Sequence, residues 1–562
     1  MNRPKAFQFK NLDSAGPSYS SILIFALIIG VFIGARLWGL TASCLWFDEV
    51  FSVHAARHEW SRLLDFVAAD IIHPPLFYAL LKVWISVGGE SLFWLRLFPV
   101  LTSIAVIIPF LMFCRELRLG STEIKLALLL MAVNGYLIKY AQEVRMYSLL
   151  LFFTVCSLWL FIRFVNATRV RKSLLTLSAL NLLLVYTHYY GWLVIAAEAA
   201  FLVLWDRDKL PDFLIAGAVL LLCFSPWVYA VTLGAEQGKG LAQNIGWVGR
   251  PRLADVVQFF ALLNAPFYFR QSSNKVVYAP WGLLAGFVIF GLPLLTLSWR
   301  LVRQRYQEGA QSFGASGKTL LLRADLSVAQ EAERDRGVGT TPPEGTPKCL
   351  ILFSVLPLAL ALLASWVLPY STWGTRHLII LTVPYLLLAA IALGRLRPEW
   401  LRITLLLLLG CWLFLAGTGR LLRRGDTYVW CAWSQLSQQM IQRKHTPAEI
   451  MNVYAFEDLV AYHLWFALEA SAGGELKVGL IKGVPGLRED PAYFLPRAFS
   501  GITVQDLSAL NEKHFWIAFR DTDFNEQGPP LKTLKDRGYE VREVLQVKAA
   551  GQRAFLVKLE HQ

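Results

Sequence analysis

Two adjacent carboxylates, Asp48 and Glu49, stand just beyond the first apolar block of the chain, in Cys-Leu-Trp-Phe-Asp-Glu-Val. A carboxylate placed at a membrane surface can take the proton of a hydroxyl as that hydroxyl attacks an electrophile. The same connection carries His73-Pro74-Pro75-Leu76. Farther along, Gln142-Glu143-Val144-Arg145-Met146-Tyr147, Thr187-His188-Tyr189-Tyr190 and Arg376-His377 each end or interrupt an apolar block. Ionisable groups at such places are costly beside lipid and usually line a water-filled or ligand-filled cavity. Arginine adds a planar fork that grips phosphate. Each cluster also has a plainer reading. Asp48 and Glu49 could be a solvated loop pair, and His-Pro-Pro could open a surface helix, where proline suits the first turn. Arg145 and Arg376 could anchor span ends by reaching to headgroups, and His188 with its two tyrosines could be an interfacial belt.

The elements that must position these residues are membrane helices. Hydrophobic residues fill 56% of the 562 positions and charged ones only 17%, more apolar surface than a soluble domain of this size can bury. They fall in blocks of the roughly 20 residues that cross a hydrocarbon core, with tryptophans such as Trp38, Trp46, Trp227 and Trp373 at block ends. About eleven spans are predicted by that criterion, near 21–40, 92–114, 124–141, 144–165, 173–188, 190–205, 213–233, 277–299, 349–369, 377–394 and 403–419. With residues 1–20 cytoplasmic, the basic clusters Arg115/Arg118/Lys125, Arg163/Arg169/Arg171/Lys172, Arg207/Lys209, Arg300/Arg303/Arg305 and Arg395/Arg397/Arg402 all fall inside, as the positive-inside rule requires. The net charge of +14 therefore reads as topology and excludes a nucleic-acid surface. The five chemistry-bearing clusters all fall on the opposite, outer face.

The expected organisation is a membrane domain at 21–419, with outer loops at 41–91 and 234–276 and a mobile cytoplasmic loop at 300–348. A small α/β unit follows at 420–562, placed outside. Its strand runs are Ile450–Tyr454, Leu476–Ile481, Phe515–Phe519 and Ala554–Leu559, and its helical patterns are Phe456–Ala470 and Leu531–Arg537. Gly317-Lys318-Thr319 imitates the end of a phosphate loop, but the first glycine of that motif is replaced by Ser312 and no strand precedes it. Seven scattered cysteines show no CxxC or metal spacing, so neither a disulfide framework nor a zinc site is expected.

An outer-face carboxylate, arginines and a His/Tyr cavity suit glycosyl transfer from a lipid-phosphate donor. The carboxylate takes the acceptor's proton, and an arginine neutralises charge on the departing phosphate. Phe47-Asp48-Glu49-Val50 followed by His73-Pro74-Pro75-Leu76 resembles the first-loop pattern of protein O-mannosyltransferases and their bacterial relatives. Among these are the aminoarabinose transferases of lipid A and the galacturonosyltransferases of rhizobial lipopolysaccharide core. Tyr140-Ala141-Gln142-Glu143-x-Arg145-x-Tyr147 and Arg376-His377…Pro384 are similar to further marks of the bacterial branch. The resemblance covers about 20–390, most specifically 45–150, and leaves 300–348 and 420–562 uncovered.

The resemblance implies a polytopic α-helical glycosyltransferase of the GT-C type with juxtamembrane helices in the first outer loop. It would use a polyprenyl-phosphate sugar and invert the anomeric centre. It implies Asp48 as catalytic base, with Glu49 shaping or assisting the acceptor site. Arg145, then Arg376, with Tyr147 and His377, would hold the donor phosphate. His73, Gln142, Glu143, His188 and Tyr189 would line the cavity and acceptor side. The implied partners are the lipid-linked donor, the bilayer, and a lipid, glycan or protein acceptor, at the plasma (inner) membrane. Members of the family differ in metal dependence. No tight ligand cluster is visible in the sequence, so no metal ligand is assigned, and a divalent ion stays open. A lipid or sugar flippase would show internal repeats and polar residues near the bilayer midplane, which are not found. A surface-polysaccharide ligase or polymerase would concentrate its chemistry in a large late outer loop. A scaffold presenting 420–562 would leave the charges at span ends unexplained.

Overall fold

The structure, a computed structural model, describes residues 18–167, 170–236, 245–246, 248–267, 280–314, 345–422, 429–443, 451–472, 476–487, 495–496, 499–549 and 551–562. The N-terminus to residue 17, the Gly-Lys-Thr segment, most of the 300–348 loop and part of the 234–276 loop lie outside the described residues. Among the described residues, eight helices are long and apolar enough to cross a membrane: Tyr19–Leu37 (α1), Leu92–Glu116, Tyr147–Asn166, Arg207–Ala235, Gly282–Arg303, Gly345–Val367, Thr375–Gly394 and Glu399–Leu422. The chain is a multi-pass membrane protein.

The other three expected spans are helical but shorter or less apolar than that measure asks, so among the described residues the expected count of eleven is not confirmed. The 124–141 block divides into Ser121–Val133 and Gly135–Ala141. Asn134 makes the break: its Oδ1 accepts the Leu137 amide at 2.9 Å and its Nδ2 donates to the Leu263 carbonyl at 2.6 Å. The carbonyls released at the end of the first half are met by buried Arg36, which donates to Met131 O (3.2 Å) and Ala132 O (3.4 Å). Buried carbonyls need such partners where water is absent. Val170–Thr187 is made less apolar by Arg171, Lys172 and Asn181, and Gly191–Trp205 has 15 residues. A buried polar knot ties these helices to Tyr147–Asn166: Ser157 Oγ donates to Glu198 (2.6 Å), and Asn181 Nδ2 donates to the same carboxylate (2.9 Å).

The first outer connection folds into three juxtamembrane helices, α2 (Phe47–Arg57), α3 (Trp60–Asp70) and α4 (Leu76–Gly88). Pro75 stands at the N-cap of α4, where its missing N–H costs nothing. The C-terminal unit carries helices Val429–Ile441 and Asp458–Ala472 and a six-stranded sheet in the order β3-β2-β1-β4-β6-β5. Its strands are β1 Met451–Ala455, β2 Leu476–Lys482, β3 Thr503–Asp506, β4 His514–Asp521, β5 Tyr539–Ala549 and β6 Gln552–His561. β3, β2, β1 and β4 are parallel, and β6 runs antiparallel to β4 and β5. The four expected strand runs fall on β1, β2, β4 and β6. β3 and β5 escape a sequence reading because their alternation is mostly of exposed and half-exposed residues. One apolar core is continuous from the membrane helices into this unit through Trp430, Trp433 and Tyr462. A second core, around Ile517, Leu534 and Val557, lies in the C-terminal unit itself.

Candidate active site

Asp48 sits in the first turn of α2, where the positive end of the helix dipole favours a carboxylate. Its Oδ2 meets Arg376 Nη1 at 2.7 Å and Arg145 Nη2 at 3.9 Å. Arg145 is buried in the turn before Tyr147. Its Nη1 donates to the Asp48 carbonyl (3.2 Å), Ser52 Oγ (3.3 Å) and Tyr78 OH (3.3 Å), and its Nη2 lies against the His73 ring at 3.4–3.5 Å. Arg376 lies over the Trp46 and Tyr147 rings, 6.0 and 5.9 Å from their centroids.

The segment bearing Arg376 and His377 is fixed from behind by two tyrosines. Tyr136 OH donates to Thr375 O and Tyr190 OH to Thr372 O, each at 2.6 Å. Gly374 permits this path, since a Cβ there would lie 2.6 Å from His377 Nδ1. A cavity of about 320 Å³ opens in front. It is lined by Asp48, His73, Arg145, Arg376 and His377, and also by Asp70, Asp255, Gln258 and Trp373. Asp70, Asp255 and Gln258 were not singled out in the sequence, and Trp373 only as a tryptophan at a block end. Each stands within or beside an ordinary amphipathic or aromatic pattern, and nothing local marks it.

Behind the arginines, His188 and His377 lie 4.6 Å apart between ring centroids, and His73 lies 5.4 and 6.2 Å from them. Burial, then Arg145, holds both His73 and His188 below the ordinary imidazole range, His188 at about 3, so these two rings are neutral. Among the described residues, His188 Nε2 and both nitrogens of His377 are buried without a hydrogen-bond partner. One nitrogen of each of the three rings lies within 4.8 Å of the others, a grouping that could hold a metal ion, although no tight ligand cluster is visible in the sequence. Tyr190 N–H, however, donates to His188 Nδ1 at 3.0 Å. A neutral imidazole that accepts at Nδ1 carries its proton on Nε2. His188 therefore turns an N–H, not a lone pair, toward its neighbours, and Arg145 adds positive charge beside His73. The set is better suited to an anion.

Several expected site residues stand elsewhere. Glu49 does not line the cavity. It is fully buried, paired with Arg96 Nη2 at 3.0 Å, and its Oε1 accepts the Val144 amide at 2.9 Å. Arg96 also donates to the carbonyls of Leu40, Ser43 and Cys44 at 2.8–2.9 Å. Glu49 thus ties the start of α2 to the turn that presents Arg145. Gln142 donates to Arg36 O and Trp38 O at 2.8 and 2.9 Å and fastens the end of α1. Tyr189 accepts from Trp227 Nε1 (3.1 Å) and donates to Ile71 O (3.4 Å), bracing the loop that ends in His73. Glu143 is half-buried, faces Lys139 at 3.9 Å, and is pushed up to about 7 chiefly by desolvation. Tyr147 is buried under Arg376.

The expectation of no disulfide is overturned: Cys44 is bonded to Cys431, at a sequence separation of 387. Spacing could not reveal a pair so distant in sequence.

No protein-family model matches the chain, and no curated protein matches it. Solved structures that resemble it include *Archaeoglobus fulgidus* oligosaccharyltransferase AglB in complex with an inhibitory peptide and a dolichol-phosphate (13% identity, TM-score 0.41, covering 82% of this chain and 64% of that one). The chain therefore spans less than two thirds of that relative. Also similar are ArnT from *Cupriavidus metallidurans* bound to undecaprenyl phosphate (13%, 0.44, 95% and 97%) and the mycobacterial arabinofuranosyltransferase AftD (14%, 0.43, 98% and 42%).

Proposed function

We propose that the chain is an integral-membrane glycosyltransferase of the GT-C type. It moves a sugar from a polyprenyl-phosphate donor to a lipid, glycan or protein acceptor on the outer face of the plasma membrane, with inversion. The observation that carries this reading is the pairing of Asp48 with Arg376 and Arg145 at a cavity also lined by His377, whose two ring nitrogens have no hydrogen-bond partner among the described residues. A carboxylate held by two guanidiniums is a base that an incoming phosphate can release, because the phosphate takes over the arginine forks. Asp48 then accepts the acceptor's hydroxyl proton while that oxygen bonds to the anomeric carbon. The carbon–oxygen bond to phosphate breaks, and its electron pair stays on the phosphate oxygen. Arg145 and Arg376 neutralise the charge that grows there, and the rings of His73 and His377 line the same cavity. One displacement inverts the centre.

The outer-face placement of the site and of the 420–562 unit is supported by the Cys44–Cys431 bond, since disulfides persist in oxidising compartments. It is also supported by the basic connections at the other span ends. The membrane catalytic domain is read as 21–419.

Asp48→Asn should leave expression and folding intact and lower transfer by at least about 10³-fold, the scale of losing a catalytic base together with its charge. The assay is mass spectrometry of surface lipids and polysaccharides from cells that carry the wild-type gene, the variant, or no gene. Unchanged turnover by the variant removes Asp48 from the mechanism, and build-up of an unflipped precursor in cells without the gene replaces transfer by transport. The donor set is read as metal-free, so excess chelator leaves the rate of purified enzyme unchanged. Loss of activity that is restored by a divalent ion overturns that part.

A further inference from the structure

The Cys44–Cys431 bond joins two parts of the site that no other covalent link brings together. Cys44 lies four residues before Asp48, on the strip that Arg96 holds through Leu40, Ser43 and Cys44 carbonyls. Cys431 lies in the first helix of the C-terminal unit, Val429–Ile441. From there the unit lays its helix Asp458–Ala472 along α2. The Phe47 ring, next to Asp48, meets the Tyr462 ring at 5.4 Å and the His463 ring at 6.4 Å, and His463 in turn stacks on Trp430 at 4.9 Å. His54 Nδ1 and Tyr462 OH are 2.8 Å apart, and Arg57 pairs with Glu469 at 3.2 Å. Leu495 and Pro496 of the same unit reach the cavity wall. A helix of 11 residues such as α2 is marginal without tertiary support. Here part of that support comes from a unit that follows nearly 400 residues later.

We infer that the Cys44–Cys431 disulfide is a positioning element of the transfer site, clamping the C-terminal unit onto α2 and so fixing where Asp48 stands. This rests on the transfer reading above. The bond removes motion of the C-terminal unit away from α2, a freedom that a loop of this length leaves large. Asp48 touches neither cysteine, so the effect passes through the backbone of residues 44–47 and the Phe47 ring.

The test uses the full chain in lipid nanodiscs. The other five cysteines are free thiols, so a water-soluble phosphine acts on this bond alone, adding two electrons and two protons to give two thiols. Alkylation mass spectrometry checks the state before and after. In the oxidised protein Cys44 and Cys431 escape alkylation, and finding both already free overturns the inference. On reduction, kcat should fall on the order of 10-fold, the scale of a modest misplacement of a reacting group, with the donor KM nearly unchanged. Hydrogen exchange should quicken across Phe47–Arg57 and Asp458–Ala472 but not across Tyr147–Asn166. Reoxidation should restore both. The double variant Cys44→Ser/Cys431→Ser should match the reduced enzyme, and if it does not fold the reduced wild type still decides. Faster exchange with unchanged kcat, or a fall in kcat with unchanged exchange, overturns the positioning role. If the oxidised protein transfers no sugar at all, the transfer reading fails instead, and the exchange difference alone decides whether the bond holds α2.

Discussion

Glu143 shows how the residue scale sets a measurable property of the site. Burial favours its neutral acid, Glu49 and Asp48 add like charge, and Lys139 and Arg376 only partly oppose them, so its carboxyl is pushed up to about 7. The unfolded chain gives it back its ordinary value of 4.5. Between those two values the folded state binds the proton that the unfolded state has released, and stability therefore falls as pH rises through that window. The full effect is on the order of 3 kcal/mol. The melting temperature in detergent should drop between pH 5 and pH 8, and Glu143→Gln should flatten the slope over that interval. An equal slope in the variant would assign the pH response to another group. At this scale the sequence was a guide to which residues share one cavity: Asp48, His73, Arg145, Arg376 and His377 all line it. Each is an ionisable group at the end of an apolar block, and the cost of that placement is itself the signal. The guide failed for Glu49 and Gln142, which have the same kind of placement. Which way a side chain turns depends on partners such as Arg96, and these are set by packing far away in sequence.

Elements place these residues by a few backbone devices that the sequence only partly announces. The break at Asn134 is one: an asparagine inside an apolar block looks like a tolerated polar residue until its side chain donates to the Leu263 carbonyl and Arg36 donates to the freed Ala132 carbonyl. Gly374 is another. It has no left-handed backbone to explain it, and its need is steric, because the His377 ring occupies the space of a Cβ. Gly374→Ala forces that ring, or the Ser371–Arg376 path held by Tyr136 and Tyr190, to shift by several tenths of an ångström. Since the altered groups face the donor phosphate on the proposed reading, the variant should bind polyprenyl phosphate roughly 10-fold more weakly, about 1.4 kcal/mol. Its global stability should change by less than about 1 kcal/mol, since no cap, core residue or ion pair is removed. Equilibrium binding in nanodiscs, read beside a thermal melt, separates the two. Unaltered affinity would show that the His377 ring takes no part in holding the donor.

Across the whole molecule, helix periodicity and span length were legible because a bilayer imposes them on any chain that crosses it. The disulfide, and the docking of a C-terminal unit on the first outer loop, were not, because contacts between residues about 400 apart leave no local pattern. These two long-range features bear on orientation, since they tie the C-terminal unit, through Cys431 and Tyr462, to the same first outer connection that carries Asp48. The opposite connections carry Arg115, Arg118, Arg207, Arg395, Arg397 and Arg402. A basic excess marks the cytoplasmic side, and disulfides persist in oxidising compartments, so two independent rules support the proposed orientation. A single cysteine placed at exposed Lys532 in the C-terminal unit should therefore react with a membrane-impermeant maleimide in spheroplasts or intact cells. One placed at Arg397 should react only after the membrane is opened. The native Cys223 and Cys411 are exposed in the structure but lie within membrane helices, so a variant lacking both is the proper background. Labelling at Arg397→Cys from outside, with none at Lys532→Cys, would invert the molecule. It would also put the site on the cytoplasmic side, where a lipid-linked sugar would have to be used before it is flipped.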